Sequence, residues 1–108
     1  MSRTVTLQGN LTFDCNQMEL DTMSTSTKSI EKVKASCQAV DPTTFDWSSV
    51  DMDTWFMCFT EGANQRYSGP RCYYFPIGES ENRDDNYARV KSGMAHFISR
   101  GWLAYKIQ

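Results

Sequence analysis

Apolar and polar positions alternate at the start of the chain: Val5 and Leu7, then Leu11 and Phe13, stand among Thr4, Thr6, Thr12 and Asp14. This period of two predicts strands over Arg3 to Leu7 and Leu11 to Cys15. The register depends on the turn between them. A two-residue Gly9-Asn10 loop would pair Leu7 with Thr12 and Thr6 with Phe13, dividing the apolar side chains between the faces. A three-residue loop, Gln8 to Asn10, pairs Leu7 with Leu11, Val5 with Phe13 and Arg3 with Cys15, so the longer turn is expected, with Asn10 in its left-handed position.

The period then changes. Ser26 or Thr27 can cap a helix in which Ile30, Val33, Cys37 and Val40 recur at helical spacing, leaving Lys28, Glu31, Lys32 and Lys34 for solvent. Asp41-Pro42 is expected to end it, because a residue before proline disfavours the helical conformation. Thr43 to Asp53 reads as an irregular connection with a short turn at Phe45 to Val50. Trp55 to Phe59 is an unbroken apolar run of strand length, expected to be a central strand buried on both faces. Gln65 to Tyr67 and Arg71 to Phe75 read as further strands, and Gly78 to Arg83 as a polar loop. Tyr87, Val90, Met94, Phe97 and Ile98 form the stripe of a second helix, with Asp84 and Asp85 in its first turn and Arg100-Gly101 at its end. Trp102 to Ile107 alternates as a last strand.

The order, ββα-ββ(β)-αβ, predicts an α+β fold: a small antiparallel or mixed sheet with two amphipathic helices on one face. The 108 residues suit a single domain, 1–108. Apolar residues at 40% and aromatics at 13% exclude a disordered composition. No run approaches the roughly 20 apolar residues of a membrane span, and no leader-like segment is evident, so a cytoplasmic, intracellular location is expected. Cys15, Cys37, Cys58 and Cys72 are widely spaced and form no Cys-x-x-Cys pair, and His96 has no ligand partner at a zinc-site interval. Structural thiols, with no metal and no cofactor, follow as the expectation.

Charge supplies the clearest functional signal. Between Lys34 and Arg66 there is no basic residue, while Asp41, Asp46, Asp51, Asp53 and Glu61 sit among Phe45, Trp47, Trp55, Phe56 and Phe59. Carboxylates speed encounter with a basic partner and a few desolvated aromatics supply affinity. The expected function is therefore a non-enzymatic protein-binding module using Asp46, Trp47, Asp51, Asp53 and Trp55. Its partner would be a larger protein with a basic, nucleic-acid-binding surface, occluded as by a virus-type inhibitor of a host enzyme or antiviral complex. Trp47, Trp55, Phe56 and Phe59 have a rival reading as core.

Two alternatives come from other chemistry. Arg66, Tyr67, Arg71 and Tyr73 combine cations with stacking rings, the physics of single-stranded nucleic-acid binding. Acidic neighbours and a pI of about 5.3 oppose it. A small enzyme would use Cys58 or Cys72 with His96 as base, or His96 with Glu61 or one of the aspartates, but no local motif supports either arrangement. Asp51 and Asp53 could face one divalent ion, although no further acid stands near them in sequence.

Overall fold

A computed structural model describes residues 4–6, 12–14, 18, 20–62, 68–78 and 81–107. Strands β1 (Thr4–Thr6) and β2 (Thr12–Asp14) pair antiparallel with Val5 opposite Phe13, the register that keeps the apolar alternation in phase. The turn joining them lies outside the described residues, as do Cys15 and the expected strand at Gln65 to Tyr67.

The main sheet holds β3 (Met23–Ser24), β4 (Gln38–Ala39), β5 (Trp55–Thr60), β6 (Arg71–Pro76) and β7 (Leu103–Ile107) in the order β3-β6-β5-β7-β4, antiparallel throughout. The apolar run takes the centre: Phe56, Met57, Cys58 and Phe59 of β5 are all buried. Side chains alternate across a strand, so such a run needs cover on both faces.

Helix α1 (Thr27–Ser36) begins where Ser26 Oγ accepts the Ser29 N–H at 3.1 Å. It does not run to Asp41-Pro42 as its spacing implied. Cys37 is already extended, Gln38 and Ala39 pair with Lys106 and Tyr105, and the Val40 N–H bonds the Ala104 carbonyl at 2.9 Å. Satisfying the outer edge of β7 outweighs one more helical turn, a tertiary override of local periodicity. Trp47–Ser49 is a single 3-10 turn within the expected irregular connection.

Helix α2 (Arg83–Ser99) is capped by Asn82, whose side chain accepts from the Asp85 N–H at 3.0 Å, and carries Asp84 and Asp85 in its first turn. Its end is a Schellman turn: Gly101, at φ +86°, donates to the Ile98 carbonyl and Trp102 to that of Phe97. Ile98, expected in the buried stripe, is 38% exposed. It falls on the last turn of α2, beside the point where β4 leaves the sheet.

The expected α+β class and small antiparallel sheet are present, with two helices among the described residues. The helices do not share a face. Val90, Met94 and Phe97 of α2 pack with Phe56, Cys58 and Phe75, whereas Ile30 and Val33 of α1 pack with Met57, Phe59 and Cys72. Topology gives the reason. Counting reversals along the sheet, β3, β5 and β4 run one way and β6 and β7 the other. Both crossovers, β3-α1-β4 and β6-α2-β7, travel in the same direction across the sheet but begin on oppositely directed strands. A single crossover hand, the strong rule for such connections, then requires opposite faces.

Candidate functional site

The acidic and aromatic segment divides into two populations. Asp41 Oδ1 accepts the Thr43 N–H at 2.9 Å and hydroxyl at 2.7 Å. Asp46 Oδ1 accepts the Ser48 N–H at 3.1 Å and hydroxyl at 2.5 Å. Asp51 Oδ1 accepts the Asp53 N–H at 3.0 Å and the Thr54 hydroxyl at 3.2 Å. These carboxylates shape successive turns, the local bonding that Asp favours outside regular structure. The bonds from Thr43 hold the Asp41 carboxyl below its ordinary range. Asp46, Asp51 and Asp53 all remain exposed.

The rings mostly turn inward. Phe45 and Trp47 meet edge to face at 5.0 Å, and Trp47 lies 5.4 Å from Phe56 and 6.1 Å from Tyr87. Trp47 Nε1 donates to the Pro42 carbonyl at 3.2 Å. Arg83 and Tyr87 of α2 both donate to the Val50 carbonyl at 3.1 Å, fastening this loop to the helix. Trp47 is thus half-buried against the core, while Phe56 and Phe59 are fully inside.

Trp55 is the exception. Strand alternation puts it on the opposite face from Phe56, at the end of β5 where it pairs with Pro76 and Ile107. It is 48% exposed and meets Tyr74, 39% exposed, edge to face at 6.4 Å. Partial burial, with the Cys72 thiol beside the ring, raises the Tyr74 pKa above its ordinary value. The exposed pair, led in by the exposed Asp51 and Asp53, combines ring surface with negative charge. Glu61, at the other end of β5, is paired with Lys34 at 2.7 Å.

The nucleic-acid candidates are differently placed. Arg66 and Tyr67 lie outside the described residues. Arg71 donates to the Thr22 hydroxyl and carbonyl and, at 3.0 Å, to Ser24 Oγ, tying β6 to β3. Tyr73 packs 4.8 Å from Phe75 and 5.6 Å from Phe97. Arg83 and Arg89 also spend guanidinium hydrogens on backbone carbonyls. These cations brace the fold.

The thiols have the environment of core groups. Burial pushes the Cys58 and Cys72 pKa values up, opposite to what a nucleophilic thiolate requires. Cys58 faces α2 and Cys72 faces α1, so the sheet stands between Cys72 and the helix bearing His96. His96 lies edge to face on Phe97 at 5.6 Å. Among the described residues, Cys37, Cys58 and Cys72 are free thiols, and no group of three His, Cys, Asp or Glu side chains could hold a metal ion. No described helix is long and apolar enough to cross a membrane.

The turn-forming use of Asp41 and Asp46 had a readable signal, because Thr43 and Ser48 stand two residues on, where a hydroxyl and an N–H can both meet the carboxylate as in an Asx turn; Asp51 has its hydroxyl one residue further on, at Thr54. Tyr74, which completes the exposed aromatic pair, carried no separate signal within its strand. No family model, curated protein or solved structure matches this chain.

Proposed function

We propose that the chain is a small, non-enzymatic protein-binding module that docks through Trp55 and Tyr74 on a basic surface of a larger protein. The observation that carries this reading is the half-exposed Trp55 beside Tyr74, on a strand whose next four side chains are buried. A large ring left half in water beside a second ring is the composition of an interface anchor, and Asp51 and Asp53 supply long-range attraction. A partner that uses its basic surface to hold nucleic acid would be inhibited by occlusion.

The test begins with capture of partners from native extract, followed by association and dissociation kinetics on the retained protein. Asp51→Lys with Asp53→Lys should slow association about tenfold and remove its salt dependence. Trp55→Ala should raise the dissociation rate about tenfold or more, with the melting temperature of the free chain nearly unchanged. Unchanged kinetics in both variants would remove this surface from the interface. Retained nucleic acid in place of protein would favour the nucleic-acid reading.

A further inference from the structure

At the outer edge of β7 the molecule has a cleft of about 290 Å³. Its base is made by buried Trp102 and Ala104, and its rim carries Ile98 and Leu103, 38% and 39% exposed. Ala39 and Asp41 complete the lining on the β4 side. The opening follows from the chain path. β4 is two residues long, its last bond to the sheet runs from the Val40 N–H to Ala104, and the chain then turns, with the Thr44 and Phe45 N–H groups both donating to the Asp41 carbonyl. Proline at position 42 has no N–H with which to extend the ladder. Leu103 pairs with Phe59 on its inner side, but on its β4 side no described strand reaches it, and Ile98 lies beside that open edge.

The lining is apolar except at one end. Among the described residues that line the cleft, Asp41 is the only carboxylate, one of its oxygens is engaged by Thr43, and none is a lysine or arginine. The volume lies just below the roughly 300–1,000 Å³ of pockets for drug-sized ligands, which suits a single side chain.

We propose that this cleft seats one bulky apolar side chain of a peptide segment, with a flanking Lys or Arg paired to Asp41. The site is separate from the Trp55 surface. Leu103 and Ile107 mark opposite ends of β7, pairing with Phe59 and Trp55 respectively, about 13 Å apart along the strand. Apolar burial supplies affinity, and the carboxylate selects the charge of the flanking residue.

The experiment titrates the isotope-labelled chain with three blocked pentapeptides and follows backbone amides by NMR. One places phenylalanine between two lysines, the second replaces both lysines with glutamate, and the third replaces the phenylalanine with glycine. The first should shift the amides of Ala39, Asp41 and Leu103. The glutamate peptide should bind about fivefold more weakly, and the glycine peptide should leave these amides unmoved. Ala39→Leu, which fills the cleft from an exposed edge-strand position, should abolish the shifts, whereas Trp55→Ala should leave them intact. Equal responses to all three peptides, or shifts confined to other residues, would overturn the proposal. Concentration-dependent shifts of the same amides without peptide would assign the cleft to a second copy of the chain and overturn it as well.

Discussion

The two faces of the sheet are built to different standards. Under α2, with its 17 residues, Phe56, Phe75, Val90, Met94, Phe97 and Trp102 form a continuous aromatic and aliphatic core. Under α1, with its 10 residues, the described helix buries only Ile30, and the face runs out from Met57 and Phe59 to exposed Trp55 and Tyr74. A shorter helix covers less of a sheet of the same width. Stability therefore concentrates on one face, while the other retains accessible ring surface. That division makes a contact role for Trp55 compatible with a stable fold, because its removal leaves the α2 core untouched.

The strongest way to break the comparison is to weaken each face in turn. Phe97 lies 4.6 Å from Trp102, 5.6 Å from Tyr73 and 6.2 Å from Phe75, and is wholly buried. Phe97→Ala should cost about 4 kcal/mol of unfolding free energy in urea titrations. Val33→Ala on the half-covered face should cost only about 1 kcal/mol. Equal losses would show that both faces carry the fold.

A smaller effect should come from the approach of α2 to the sheet. A Cβ built on Gly93 would sit 2.5 Å from the Phe75 ring, so the glycine permits the contact. Gly93→Ala should destabilise by about 1–2 kcal/mol, since overpacking outweighs the gain in helix propensity. Gly62→Ala meets nothing within 4 Å and should change stability by less than about 0.5 kcal/mol. Phe75→Leu should relieve part of the Gly93→Ala cost in a double-mutant cycle, and strict additivity of the two changes would place the strain elsewhere.

What the sequence made legible was local. Val5 opposite Phe13, the Ser26 cap and the buried centre of Trp55 to Phe59 all follow from alternation, capping chemistry or an apolar run. What it concealed was set by long-range pairing. Cys37 and Val40 continue the helical spacing of Ile30 and Val33, yet the edge of β7 takes this segment as strand. The two helix stripes look alike in sequence, and only strand order and direction send them to opposite faces. The same limit applies to the site. Phe45, Trp47, Phe56 and Phe59 could not be separated from Trp55 by composition, because exposure of one ring depends on which strand end the helices leave uncovered.

The finest test concerns the acidic loop that leads from α1 towards β5, where Asp41 is exposed and bonded by Thr43. Its folded-state pKa lies below the ordinary value of 3.8, with the Thr43 hydroxyl as the leading cause and the Thr43 N–H second. The unfolded chain therefore takes up this proton first as pH falls. Any stabilisation from the bonded carboxylate is complete above 3.8 and fades as pH drops through the lower folded value. An NMR titration of the Asp41 side-chain carbonyl should place its midpoint below 3.8 and move it upward in Thr43→Ala, stopping short of a full return because the backbone N–H still donates. A midpoint indifferent to Thr43 would mean that the turn does not hold this carboxylate, and that the turn-forming role given to Asp41, Asp46 and Asp51 fails at its first member.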